Sequence, residues 1–396
     1  MRRRSLVLPG LAATALLVPL AGVASAAPAS HTSGSSRPTP KPQVVVAGLN
    51  NPRQLSLPNE HRLYIAEAGI GGNLATITDP EGGTQGVGLT GSISLVRNPE
   101  WARNGTPHRI VTGLLSAAAP DGSGAIGSDG VSVRHGRILI QETAVPPGTV
   151  LPPRAARQSG KLLTVRDHGK LRVVADITAF EVAHNPDHQA VESDPYAVLQ
   201  LRNYALVADA AANDVLKVDR HGHISVWHVF PNIVNATCLD PSIQQPPPNL
   251  PGCQFVPTSL ATDEHGYVYV GGLGGLVPGQ ARVVKLTADG RHVLKTWTGL
   301  TSVTGVAVGE HGALYVSQLF APEAHPANPA IQGVLTKITR NGHRYNTDVP
   351  FPAGIAVDDH TVYVSAFSIA PGTGLTDPST GKVVPGTSGQ VWRLRW

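Results

Sequence analysis

One four-residue phrase constrains this chain more than any other feature. It reads Leu63-Tyr64-Ile65-Ala66, Ile138-Leu139-Ile140-Gln141, Ala205-Leu206-Val207-Ala208, Val268-Tyr269-Val270-Gly271, Leu314-Tyr315-Val316-Ser317 and Val362-Tyr363-Val364-Ser365. The six copies stand about 45 to 75 residues apart, within or just above the period of propeller blades. β-Branched and aromatic residues suit a pleated, buried surface. A shorter apolar strand precedes each copy: Gln54–Leu57, Gly130–Val133, Tyr196–Leu199, Ser259–Thr262, Gly305–Val308 and Gly354–Val357. Turn residues such as Glu310-His311-Gly312 join the two, as a tight hairpin prefers. A third strand follows each copy, and a fourth follows most of them. Four strands repeated six times predict an all-β, six-bladed β-propeller.

The ends of the chain fit that plan. Residues 1–26 read as a cleaved signal peptide, with Arg2-Arg3-Arg4, an apolar run broken by Pro9 and Pro19, and Ala24-Ser25-Ala26. A retained anchor is the rival reading, and the short, Pro-broken run argues against it. Arg3-Arg4-Ser5-Leu6 leaves twin-arginine export open beside the general route. Residues 27–42 form a Pro/Ser/Thr-rich linker. Residues 43–396 are the propeller domain. Its last blade, ending at Trp396, has three strands of its own, and Val44-Val45-Val46 is expected to supply the fourth. That would close the ring and remove an exposed edge. No later segment reads as a membrane span, so the expectation is a secreted, extracellular, monomeric protein.

Charge narrows the partners. The formal net charge is +4, and removing the three arginines of the signal leaves +1. There is no basic run and there are few aromatics, so no nucleic-acid partner is expected. The only cysteines, Cys238 and Cys253, fall in one loop with the Pro246-Pro247-Pro248 run. In a secreted chain they most simply pair. A thiol nucleophile or metal site is the alternative, and no C-x-x-C supports it.

Candidate site residues follow from propeller geometry. Loops entering the inner strands and leaving the second strands share one mouth of the central channel. Glu67, Glu142, Asp209 and Gln318 directly follow second strands; Asp129, Asp194 and Thr258 stand near the starts of inner strands. An insertion before the third blade can bring Glu181, His184 and Asn185 over the same half of the mouth. Acidic residues at strand ends are most often solvated loop edges. An acidic half-ring of Glu67, Glu142 and Asp209 also has the oxygen chemistry of calcium. Clustered carboxylates could instead divide acid and base roles, with His184 as a base. Gly122-Ser123-Gly124-Ala125-Ile126-Gly127 lacks the strand-to-helix context of a dinucleotide site. Nine of the sixteen histidines fall at hairpin turns, where an exposed, non-catalytic role is expected.

The stretch Phe180-Glu181, Asn185-Pro186-Asp187, Asp194-Pro195-Tyr196, Val207-Ala208-Asp209, Asn213-Asp214 and Val256-Pro257-Thr258-Ser259 resembles the ScyD/ScyE family, named for a bacterial cluster that makes the pigment scytonemin. The resemblance spans the mature chain. It implies a secreted, six-bladed, NHL-like propeller, with Glu181, Asn185, Asp209, Asn213, Asp214 and Thr258 as matched positions, and no established reaction. The chain departs from the family at Asp194, usually Asn, at Ala211-Ala212, usually two glycines, and at Gly272, often Glu.

The function expected from the sequence is a binding or extracellular interaction module with an unidentified ligand or protein partner and an acidic channel mouth. The alternative is a calcium-dependent hydrolase of the lactonase or esterase type, on fold analogy alone. No catalytic motif supports it, and no cofactor beyond calcium is implied.

Overall fold

The computed structural model describes residues 40–78, 82–165, 169–243, 251–321, 333–359 and 361–396. The signal segment, most of the linker, the Pro246-Pro247-Pro248 run, His168 and His360 lie outside the described residues. Strands take 50% of the described residues and helices 5%, so the architecture is all-β.

In chain order the elements are β1 (Gln43–Leu49), β2 (Pro52–Asn59), β3 (Arg62–Glu67), β4 (Ala75–Thr78), β5 (Thr84–Arg97), β6 (Arg109–Ala118), β7 (Ile126–Arg134), β8 (Arg137–Glu142), a one-turn helix α1 (Pro153–Ala156), β9 (Lys161–Val165), β10 (Leu171–Asp176) and the helix α2 (Ile177–His184). They continue through β11 (Pro195–Gln200), β12 (Tyr204–Asp209), β13 (Asp214–Asp219), β14 (Ile224–Val229), β15 (Pro257–Thr262), β16 (Val268–Gly272), β17 (Ala281–Leu286) and β18 (Val293–Leu300). The last are β19 (Val303–Val308), β20 (Leu314–Gln318), β21 (Val334–Ile338), β22 (Arg344–Asp348), β23 (Ile355–Asp358), β24 (Thr361–Ala366) and β25 (Gly389–Arg395). Every repeated phrase lies in the second strand of an antiparallel meander.

Four of the sheets are four-stranded: β11–β14, β15–β18, β19–β22 and β1-β25-β24-β23. The first two meanders differ from the expectation of separate blades. β6 continues past its own meander and pairs with β7 through Ser116 with Gly127 and Ala117 with Ile126, fusing them into one nine-stranded sheet. The extra length of β5 and β6, with β4 on their flank, was not legible as strand because Gly86, Gly88 and Gly91 interrupt its apolar pattern.

The innermost strands β2, β7, β11, β15, β19 and β23 each pack on the next, and β23 packs back on β2. Residues from all six line one cavity of about 240 Å³. Side chains tie neighbouring inner strands together. Ser56 Oγ accepts from Val133 N at 2.9 Å, Ser132 Oγ from Gln200 N at 2.9 Å, and Ser365 Oγ donates to Arg53 O at 2.8 Å. Gln54 reaches two strands at once, donating to Val198 O at 3.0 Å and accepting from Val131 N at 3.2 Å. A Cβ on Gly354 would stand 2.5 Å from Arg53 O. Glycine there lets the last inner strand approach the first.

Strand β1 pairs antiparallel with β25, Gln43 opposite Arg393 and Leu49 opposite Gly389. Val45, Val46 and Leu49 are fully buried and pack with Leu55, Leu63, Ile65 and Val391. The described turn histidines His61, His135, His221, His223, His265, His311 and His343 are all exposed. His135 and His311 take left-handed φ of 49° and 57° before Gly136 and Gly312, the role Asn more often fills.

Cys238 and Cys253 are joined in a disulfide, which packs beside Ile233 and Val277. Replacing both with serine is expected to lower stability by about 3 kcal/mol, because the open chain regains loop entropy. Urea unfolding of the double variant against the parent measures this; an unchanged midpoint would show that the surrounding loop, not the bond, fixes this segment.

Candidate functional site

The third meander carries a cluster of buried acids. Asp209 ends β12 and Asp214 begins β13, and the two are directly opposed across the sheet. Like charges in that position repel. Asp209 is well supplied with donors: Ser193 Oγ and Asp194 N each reach its carboxylate at 2.6 Å. Asp214 is fully buried, and neither of its oxygens receives a hydrogen bond.

Helix α2 packs on this sheet, its Ile177 and Phe180 sharing one apolar cluster with Val207 and Leu216. Its N-cap is Asp176, whose side chain accepts from Ala179 N at 3.1 Å, and it ends at Asn185 in the left-handed conformation. Ile177 and Glu181, one turn apart, form its buried face. Glu181 is fully buried with neither oxygen hydrogen-bonded, and the buried Oδ1 of Asn185 is also without a donor. Asn185 Nδ2 is used, donating to Gln189 O at 2.9 Å. Asp187 accepts from Gln189 N at 2.9 Å and from its Nε2 at 3.0 Å.

Burial dominates the electrostatics here. It pushes Glu181 up to about 8, with Asp209 and Asp187 adding to the rise. Asp214 is raised by burial and then by Asp209, Glu181 and Asp187. Burial lifts Asp209 to about 6 despite its hydrogen bonds. The partly exposed Glu192 is held near 7 by burial and by Asp187. None of the groups that shift Glu181 or Asp214 is a cation.

The remaining residues expected at the mouth lie elsewhere. Glu67 is bound by Arg109 Nη2 at 2.8 Å, Ser94 Oγ at 2.6 Å and Asn50 N at 2.8 Å. Asp129 pairs with the buried Arg53 at 3.1 Å, and burial raises its carboxyl more than Arg53 lowers it. Arg53 also hydrogen-bonds Tyr196, whose hydroxyl burial pushes up to about 12. Glu142 accepts from Ser128 Oγ at 2.8 Å and is pushed well up by burial. Asp194 accepts from Thr143 Oγ1. Thr258 donates to Val303 O at 2.6 Å and ties β15 to β19. Gln318 accepts from Thr301 N at 2.7 Å and donates to Thr336 Oγ1 at 2.8 Å.

The half-ring of Glu67, Glu142 and Asp209 is therefore not assembled. Each of the three carboxylates turns to a serine hydroxyl, and Glu67 also takes a cation. Among the described residues no three His, Cys, Asp or Glu side chains stand in a metal-holding arrangement. His184 is exposed, stacked on Phe180 at 4.2 Å with Nδ1 against Phe180 O at 2.9 Å. Asn213 is buried and spends its Oδ1 on Val256 N at 2.9 Å. The Gly272 position cannot carry the family's Glu here, since a Cβ would meet Phe255 O at 2.5 Å.

Sequence reasoning missed Arg53, Arg109, Asp187 and Glu192 as neighbours of the acids. Asp187 and Glu192 had a signal, since both lie in the insertion that supplies Glu181. The arginines had none.

No protein-family model matches the chain, and no curated protein matches it in sequence. Solved structures do resemble it. The PQQ-bound aldose sugar dehydrogenase of Streptomyces coelicolor is 11% identical with TM-score 0.48, over 90% of this chain and 98% of that one. A gluconolactonase of Xanthomonas campestris is 9% identical with TM-score 0.48, over 90% and 89%. A virginiamycin B lyase of Staphylococcus aureus bound to quinupristin is 12% identical with TM-score 0.45, over 90% and 100%. These likenesses are too distant to transfer an activity.

Proposed function

We propose that this chain is a secreted, six-bladed β-propeller that works as a ligand-binding module, with its pocket beneath α2. Six inner strands in cyclic contact around one cavity support the six-bladed count, with β6–β7 pairing read as a bridge between two blades. The disulfide is compatible with secretion, and no described helix is long and apolar enough to cross a membrane. The residues behind the ScyD/ScyE resemblance support that reading too: Glu181, Asp187, Asp209 and Asp214 come from four short motifs, and the first three all act on the ionisation of Asp214.

One observation carries the binding function. Glu181 and Asp214 are fully buried, close enough to repel, and without hydrogen-bond donors from the protein. Buried polar groups are normally satisfied, and a buried carboxyl left without hydrogen-bond partners costs stability. A fold keeps such a pair where another requirement outweighs stability. Glu181→Gln and Asp214→Asn, each melted in EDTA at pH 7.5, are therefore expected to raise the midpoint by a few degrees. A lower midpoint in both would mean that the carboxylates stabilise the resting fold, and the binding reading would fail.

A calcium-dependent lactonase or esterase is the second reading. The partly exposed Glu192 favours it, since a carboxyl held near 7 suits general acid–base work at neutral pH. Lactone or ester hydrolysis abolished by Glu192→Gln would promote that reading over the first.

A further inference from the structure

We infer that the pocket beneath α2 takes one hard divalent cation of the calcium class, held by the carboxylates of Glu181 and Asp214 and by Oδ1 of Asn185. The inference rests on the reading of this pocket as a binding site and names what it binds.

The atoms without partners define the chemistry. Both oxygens of Glu181, both of Asp214 and Oδ1 of Asn185 are buried and receive no hydrogen bond from the protein. Glu181 and the C-cap Asn185 are neighbours at the end of α2, where Asn185 N donates to Glu181 O at 2.8 Å. Asp214 begins β13, whose Leu216 packs in one cluster with Ile177 of α2. All five atoms are oxygens. The disulfide removes both thiols, and His184 is exposed. An all-oxygen set favours calcium or magnesium over zinc or copper. Magnesium retains several waters and demands a near-octahedral shell, whereas calcium accepts six to eight oxygens in irregular geometry. Carboxylates able to bind through both oxygens suit calcium better. Two free carboxylates and one amide leave room for solvent or main-chain oxygens to complete the shell.

The surroundings supply field rather than ligands. Asp209, directly across from Asp214, is occupied by Ser193 and Asp194 N, and Asp187 is occupied by Gln189. Their negative charge deepens the attraction for a cation. The groups acting on Glu181 and Asp214 include no lysine or arginine that would neutralise the site internally.

Thermal melts and isothermal titration of the purified protein at pH 7.5 test this, in EDTA and then with calcium or magnesium chloride. Millimolar calcium is expected to raise the midpoint by a few degrees, with heat of binding near one equivalent, and magnesium to do less. Asp214→Asn and Glu181→Gln should each remove most of the calcium response while keeping or raising the midpoint in EDTA. Two results would overturn the cation. One is no heat and no shift with calcium while the two variants still melt higher in EDTA; the pocket reading then survives and its ligand is of another class. The other is a calcium response that persists in both variants, which places the ion elsewhere.

Discussion

Deleting residues 1–50 is expected to lower the thermal midpoint by on the order of 7 °C or more relative to deleting residues 1–41. The difference is β1. Val45, Val46 and Leu49 are fully buried, and burying side chains of this kind contributes about 1.5–3 kcal/mol each. The strand also supplies the antiparallel partner of β25 from Gln43 to Leu49. Without it β25 becomes a bare edge in the sheet that meets β2, and exposed edges invite pairing with other chains. The shorter chain should therefore aggregate as well as melt early, which size-exclusion chromatography would record. Equal midpoints for the two truncations would mean that β1 only decorates β25 and does not hold the ends together.

Stability in EDTA should be greatest in mild acid and fall as pH rises from about 5 to about 8. Glu181 titrates at about 8 in the fold, Glu192 at about 7 and Asp209 at about 6, all above their ordinary values. Burial is the first cause in each. A carboxyl raised in this way favours folding most below its unfolded value, where it is protonated in both states. That contribution is lost as pH climbs through the folded value, because the unfolded chain ionises first. His228, lowered by burial, opposes this trend as pH falls below its ordinary value of 6.5. One histidine does not balance three carboxyls. In stronger acid the order reverses again: burial alone would raise Asp219, but hydrogen bonds from the His223 and His221 backbone and the His223 ring together outweigh it and hold the carboxyl down to about 2, and the stability this contributes is lost as pH falls toward that value. Urea midpoints across pH 4 to 9 measure the profile. The fall between pH 5 and 8 should amount to a few kcal/mol and should be markedly flatter in Glu181→Gln. A midpoint that is level or rising over that window would show that the pocket does not hold its protons.

These two expectations differ in how early they could be made. The pairing of β1 with the last sheet followed from counting strands, because Val44-Val45-Val46 stood as a fourth strand without a meander. Strand phrases are legible because alternation of side chains and the turn residues between strands are local properties, set within a few residues. The cysteine pair was legible for a similar reason: two thiols share one loop. Part of the pocket was readable too, since Glu181, Asn185, Asp209 and Asp214 lie in short motifs that the family resemblance brought forward.

What the sequence could not supply was the direction in which each carboxylate turns. Glu67, Glu142 and Asp209 occupy the same place in three successive meanders, and sequence position made them equivalent. Tertiary structure made them different. Arg109, which lies 42 residues from Glu67, reaches its carboxylate. Ser128 binds Glu142, and Ser193 with Asp194 N binds Asp209. Asp214 and Glu181 were left buried with no protein donor. A strand's identity is fixed by its own residues, so the chain alone determined the architecture. A buried carboxylate's chemistry is fixed by whichever distant donor arrives beside it, and only the packed fold decides that.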